Sequence, residues 1–356
     1  MKDNLASITL AAVLLFSGAH ACAQSEPLHW YRCNTHTHTT GPDVNATLEV
    51  IAEWYQSHGY QCLVITDHEH LTDVHQLVRQ YAKHGSFLLL PGQEISQIAG
   101  NPSRPESLTL AHVNGINVNR QIMPLDEPKQ AADISLAESY QRNAQAILAA
   151  GGIVQINHPN VQWAIKADDL AHLDNPFLLE VWNAYKASNN LGGADDSGQP
   201  GPSPEALWDT LLSRGKVVWA VASDDAHEYV HFEDRETPTP GKAWIVVQAR
   251  SLSTPAILEA LRTGTFYAST GIALDSYSVD EKGIAIKIAP ALSAHFKTRF
   301  IGSNGALLAE VPGTSPHYSF QGNEEYVRAS IIDSNDHRAW TQPVFRDGRK
   351  KESVTK

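Results

Sequence analysis

The sequence predicts an α/β protein: a parallel sheet that closes as a barrel more readily than it stays open, followed by a small antiparallel β domain. Three observations carry this expectation. Short apolar runs alternate with helical one-face patterns as far as about Ile272. Several of those runs end in histidine or acid, where barrels of this kind keep their chemistry. Beyond Ile272 the texture changes to two-residue alternation broken by the turns Ser303-Asn304-Gly305 and Asn335-Asp336.

Residues 1–23 combine an apolar run, Leu5 to Phe16, with Ala-x-Ala sites at Ala19-His20-Ala21 and Ala21-Cys22-Ala23. They read as a signal peptide, so an exported protein, periplasmic or secreted, is expected, with no stable membrane insertion after cleavage. An uncleaved anchor and a lipidated Cys22 are the alternatives. The expected division is 1–23 signal peptide, 24–271 barrel, 272–346 β domain and 347–356 tail, the last holding Arg349-Lys350-Lys351. The formal net charge is −12, and loss of Lys2 and Asp3 with the signal peptide leaves it unchanged. Such a chain lacks a general basic surface for a nucleic acid duplex. A small ester substrate, including a phosphorylated one, remains compatible. Cys33 and Cys62 survive cleavage in neighbouring expected strands, where two buried free thiols are the plainer expectation and a disulfide the alternative.

Taken in order, Leu28 to Cys33 leads to Asn34-Thr35-His36-Thr37-His38-Thr39. Side chains two apart on a strand share a face, so His36 and His38 can present two imidazoles to one ion. Leu48, Ile51, Ala52 and Tyr55 mark a helix ended by Gly59, with Asn45 as its candidate cap. Tyr60 to Thr66 is a buried strand that delivers Asp67-His68-Glu69-His70. Val74, Leu77, Val78 and Tyr81 mark a second helix, closed by Gly85. Phe87 to Leu90 then runs into Pro91-Gly92-Gln93-Glu94, and Leu108 to Ala111 leads to His112. Ser135 and Glu138 form a capping box for a helix through Ala150. Ile153 to Asn157 delivers His158-Pro159, and Phe177 to Trp182 ends in Asn183. The Gly/Asp/Pro-rich segment Asn189 to Pro204 is a surface connection or a lid. A helix from Pro204 to Arg214 precedes the strand Val217 to Ala222, which delivers Ser223-Asp224-Asp225-Ala226-His227.

Each of these residues has a plain alternative. His68 could cap a helix, Glu94 could be a surface acid, His112 a core histidine and His158 a turn residue. Their recurrence at one structural position points instead to a metal site. A histidine and carboxylate donor set without thiolate suits zinc, manganese or iron.

In this order, His36-Thr37-His38, Thr66-Asp67-His68, Glu94, His112, His158-Pro159 and Asp225-Ala226-His227 resemble the signature of the polymerase and histidinol phosphatase (PHP) domain over about residues 30–270. The resemblance implies a distorted (β/α)7 TIM-like barrel holding two or three divalent ions and hydrolysing phosphoesters. An exported form with a β-rich tail is similar to a branch that includes carbaryl hydrolases, which cleave a carbamate ester. It further implies that His36, His38, Glu94 and Asp225 surround one ion, with Glu94 bridging to a second held by His112 and His158. His68 and His227 would face a third site or act on substrate. Many relatives add another ligand soon after the His-x-His, where only Asp43 is available here. Asp67, His68 and His227 are the candidate catalytic groups, Asp67 alternatively orienting a ligand. His70 and Lys186 are candidate substrate contacts.

The expected function is thus an exported metal-dependent phosphoesterase using a hydroxide between two ions. Two alternatives stay open: a carboxyl or carbamate ester hydrolase on the same site, and a non-catalytic metal-containing binding protein.

Overall fold

The computed structural model describes residues 27–41, 44–82, 87–104, 108–124, 131–194, 200–233 and 237–346. The expected signal peptide, Asp43, Gly85 and the basic tail lie outside the described residues. In chain order the first elements are β1 (His29–Asn34), α1 (Leu48–Ser57), β2 (Cys62–Ile65), α2 (His75–Ala82), β3 (Leu88–Ala99), β4 (Thr109–Ile116), β5 (Ala131–Ala132), α3 (Leu136–Ala149) and β6 (Ile153–Ile156). They are followed by α4 (Ala167–Leu170), β7 (Phe177–Asn183), β8 (Gly193–Ala194), β9 (Pro200–Gly201), α5 (Pro204–Ser213), β10 (Val218–Ser223), β11 (Trp244–Ala249), α6 (Thr254–Thr263) and β12 (Phe266–Ser269).

The result is a mixed α/β fold around one large sheet, whose strands begin in the order β10-β7-β6-β4-β3-β2-β1. The pairs β1–β2, β2–β3, β6–β7 and β7–β10 are parallel. Strand β4 is antiparallel to both β3 and β6, which corrects the expectation of a parallel sheet at this point. Only a short connection separates β3 from β4, and a chain that returns without a crossover must run the other way. Just past β1 and β10 the two chain segments meet in a parallel bridge, Thr37 to Ala226. There His38 N donates to Ala226 O (3.1 Å) and Asp225 N to His36 O (3.1 Å).

Local sequence explains how these elements are fixed. Gly92 on β3 has no room for a side chain, since a Cβ would stand 2.8 Å from Ile65 O and from Val64 Cγ1. Ser135 caps α3 by accepting from Glu138 N (3.1 Å), but the Glu138 carboxylate turns away to pair with Arg142 one turn on. The cap of α1 is Thr47, not Asn45. Asn45 instead ties the start of α1 to the segment after His227, donating to the Glu228 carboxylate and accepting from Tyr229 N (2.9 Å). Cys33 and Cys62 stand opposite each other in β1 and β2 with Cα atoms 4.5 Å apart, and they form a disulfide. The free-thiol expectation is thereby corrected, because in-register pairing places the two side chains at one level of adjacent strands.

The sequence reading leaves 244–269 without elements, whereas the structure builds β11, α6 and β12 there. β11 lies antiparallel to β1, and β12 to β11, so the sheet continues outward from β1. The remaining strands are β13 (Leu274–Val279), β14 (Gly283–Ile288), β15 (Phe296–Gly302), β16 (Ala306–Pro312), β17 (His317–Ser319), β18 (Tyr326–Asp333), β19 (Arg338–Thr341) and β20 (Val344–Phe345). All pair antiparallel, and β19 bonds to β12, which joins them to the large sheet. A separate sheet, β13-β14-β17, packs Ile284, Ile286 and Ile288 into a core with Phe300, Ile331 and Tyr267.

A buried charge ties α5 to β18. Arg328 is fully buried, its Nε and Nη2 donating to the two Asp209 oxygens (2.7 and 2.5 Å) and its Nη1 to Glu205 (2.8 Å). Gln342 adds a second tie, its amide accepting from Ala220 N and donating to Ala220 O, both at 2.8 Å. Among the described residues no helix is long and apolar enough to cross a membrane.

Candidate metal centre

The bridge beyond β1 and β10 carries His36 and His38 on one side and Asp225 on the other. Asp225 takes a left-handed backbone (φ 50°), uncommon for a non-glycine residue though one that Asp tolerates better than most. Glu94 is set in mid-β3, and its backbone is clamped between Asp67 and Glu69: Glu94 N donates to Asp67 O (3.1 Å) and Glu69 N to Glu94 O (2.9 Å). These positions bring four donor atoms together. His36 Nε2 is 3.2 Å from Glu94 Oε2 and 3.1 Å from Asp225 Oδ1, and His38 Nε2 is 3.3 and 3.0 Å from the same atoms. The two imidazole nitrogens are 3.2 Å apart. Ligands at about 2.0–2.2 Å from one zinc-like ion stand about 3 to 3.5 Å from each other, so this spacing fits an ion between them.

Glu94 divides the centre into two sides. Its Oε2 faces His36, His38 and, at 3.2 Å, His68 Nδ1; buried among three imidazoles, it has no hydrogen-bond partner among the described residues. Its Oε1 faces His112 Nδ1 (2.9 Å) and His158 Nε2 (3.5 Å), which are 3.1 Å from each other. Asn157 also donates to Oε1 (2.8 Å). The donor atoms of His38, His68 and His227 form a further group within 4.8 Å. Both outer rings stack on His38, with centroids at 4.5 Å for His68 and 4.0 Å for His227.

The electrostatics ask for positive charge at the centre. Burial alone would lower His38, but Asp225 and Glu94 outweigh it and raise the imidazole to about 9. His36 is raised in the same way, by Asp225, Glu94 and Glu180 against its burial. Glu94 and Asp225 are conversely held well below the carboxylate range: burial opposes this, and the surrounding histidines prevail. Burial pushes His68 down to about 4, with His38 and His112 adding to the effect against Glu94. A buried set that retains protons in order to neutralise its carboxylates would exchange those protons for divalent ions. The residues therefore fit the metal.

His36, His38, His68, Glu94, His112, His158, Asp225 and His227 are thus all brought to one place. Asp67 has another task. Its Oδ1 accepts from Thr39 N (2.5 Å) and Thr40 N (2.8 Å), and its Oδ2 from the hydroxyls of Thr39 (2.6 Å) and Thr72. With both oxygens engaged by Thr39 and Thr40, and Thr72 added on Oδ2, it holds the loop after His38, whereas the sequence offered it a proton-transfer or ligand-orienting role. Asp224 likewise anchors 241–243 through three backbone N–H groups.

Sequence reasoning missed Glu180, which lies on β7 and is buried. Its Oε1 accepts from His36 Nδ1 (2.8 Å), Gln155 (3.2 Å) and the Ser223 hydroxyl. Its Oε2 accepts from His158 N (2.6 Å) and Asn183 (2.8 Å). A carboxylate so placed fixes the orientation of the His36 ring, as such a group does behind a histidine that ligates metal. The available signal was one acid inside the apolar run Phe177 to Trp182.

Fold and site together define a protein built to hold divalent metal ions on a mixed α/β sheet. No known family model matches the chain, and no curated protein matches it. Solved structures give partial likenesses. A two-domain protein from Bacteroides vulgatus containing a predicted PHP-like metal-dependent phosphoesterase is 16% identical with a TM-score of 0.47, over 89% of this chain and 96% of that one. A protein from Bifidobacterium adolescentis assigned as a metal-dependent phosphoesterase is 15% identical (TM-score 0.37; 58% and 89% covered). An amidohydrolase from Chromobacterium violaceum with bound sulfate is 12% identical (TM-score 0.35; 55% and 87% covered).

Proposed function

We propose that this chain is an exported metal-dependent hydrolase of the PHP type, acting on a small ester, with a phosphoester as the leading substrate. The observation that carries the reading is Glu94, one buried carboxylate whose two oxygens face different histidine sets. His36, His38, Glu94 and Asp225 would hold one ion, and Glu94, His112 and His158 a second. Divalent ions there would polarise the ester oxygen and lower the pKa of water. The chain's own residues do the rest. Glu180 fixes the His36 ring, Asp67 fixes the loop after His38, and His68 and His227 border the cavity from which substrate arrives. The bridge between Thr37 and Ala226 supports closure of the sheet as a distorted (β/α)7 barrel. The Cys33–Cys62 disulfide supports an oxidising compartment, in line with the signal-like start of the chain.

A second reading is hydrolysis of a carboxyl or carbamate ester. It is favoured by the cavity lining, which among the described residues holds neither Lys nor Arg to meet a phosphate. Initial rates of the metal-reconstituted protein on nitrophenyl phosphate, phosphodiester, carboxyl ester and methylcarbamate, each repeated with chelator, separate the two. A chelator-sensitive preference for phosphate supports the leading reading, and a preference for carbonyl esters supports the second. No turnover of any of the four by metal-loaded protein would overturn both.

A further inference from the structure

The cavity before the histidines has a second wall. Its volume is about 480 Å³, the size of a small-molecule pocket. Apart from the metal-type residues, its lining holds the apolar side chains of Leu110, Val161, Ala164, Ile165 and Pro238, with Gln162 and Tyr140 adding polar atoms among them. Leu110 precedes His112 by two positions on β4 and so shares its face. It nevertheless leaves 45% of its surface open, an apolar side chain uncovered next to a polar centre.

The segment presenting Val161 to Ile165 is held in backbone that L-residues rarely adopt: His158, Gln162 and Trp163 have φ of 25°, 54° and 56°. It is also braced. Trp163 lies so close to Gly201 that a Cβ there would come within 2.1 Å of the ring. The Asn160 amide donates to Pro202 O (2.7 Å) and Asn189 O (3.2 Å), and the Asn189 amide donates back to Asn160 O (3.0 Å). What this braced segment supplies to the cavity is mainly hydrocarbon, from Val161, Ala164 and Ile165, with Gln162 as its polar member.

The geometry points to this wall as a subsite for the uncharged apolar end of the ester, an aryl or alkyl group, while the ester itself faces the histidines. The inference rests on the hydrolase reading above and applies to phosphorus and carbonyl esters alike. A polyhydroxy end such as glycerol would set most of its surface against the hydrocarbon of Leu110, Val161 and Ile165, and even with Gln162 and Tyr140 as polar neighbours it is expected to gain less than an alkyl or aryl end.

The test is calorimetric titration of zinc-loaded protein with methyl-, butyl-, benzyl- and 2,3-dihydroxypropylphosphonate. Affinity is expected to rise about fourfold per methylene from methyl to butyl. The benzyl compound should bind at least as well as the butyl, and the dihydroxypropyl no better than the methyl. Leu110→Ser and Val161→Ser, at partly exposed positions, should each flatten the series without changing methylphosphonate affinity. A flat series in the unsubstituted protein, or tighter binding of the dihydroxypropyl compound than of the butyl, overturns the subsite. Absence of binding by every phosphonate overturns it too. The nitrophenyl rates separately decide whether the hydrolase reading survives, because turnover with a flat series removes only the subsite.

Discussion

Glu180→Gln is the sharpest perturbation of the centre that touches no proposed ligand. The glutamate collects five donors, three on Oε1 and two on Oε2. A glutamine of equal shape can keep its oxygen toward His36, but its NH2 then meets His158 N and the Asn183 amide, both donors. Each unsatisfied donor costs about 1–3 kcal/mol, so for the two a stability loss of about 2–6 kcal/mol is expected. The charge that orients and polarises His36 is lost as well. Removing such an outer partner weakens metal binding about 10- to 100-fold, equivalent to about 1.4–2.7 kcal/mol. Competition against a chromogenic chelator measures this directly, with circular dichroism establishing that the variant is folded. A folded Glu180→Gln protein that holds zinc as tightly as the unsubstituted one would refute the assignment of Glu180 as the carboxylate behind His36.

Three further outcomes follow from the packing. Asp209→Asn removes the carboxylate that Arg328 grips with two donors in a fully buried site, and denaturant unfolding should show a loss of about 3–5 kcal/mol; an unchanged midpoint would mean the buried charge is met by other groups. Cys33→Ser together with Cys62→Ser opens a loop with a sequence separation of 29, and chain entropy sets the cost at about 3–4 kcal/mol, to be compared with reduced unsubstituted protein, which should unfold alike. Glu205 is held below the usual range, burial opposing and Arg328 outweighing it, so its contribution to stability is complete above the unfolded value of about 4.3 and is lost as pH falls through the folded value. Glu205→Gln should therefore flatten the acid limb of the stability profile below about pH 4.3, and identical acid limbs would contradict the pairing.

The centre was legible where chemistry and position coincide. His36, His38, His68, His158, Asp225 and His227 each follow an apolar run, and a strand end is where such residues can converge. Glu180 was hidden because it sits inside a run, where sequence conveys burial but not which neighbour strand supplies donors. Asp67 stood beside His68 in the chain, yet adjacent side chains diverge, and this one serves Thr39 and Thr72. The reversal of β4 could not be read from its residues, since Leu108 to Val118 looks the same in either direction; the connection before it was the cue. The same holds for Cys33 and Cys62, whose pairing depends on a register that only the assembled sheet sets.

Glu94 has a consequence for how such a centre can change through descent. Its backbone is pinned to Asp67 and Glu69, and each of its oxygens answers to a different group of histidines. A lineage cannot shed one side and retain the other by altering this position. Loss of one side alone would have to come through its histidines, His112 and His158 on the one hand or His36 and His38 on the other, with Glu94 kept.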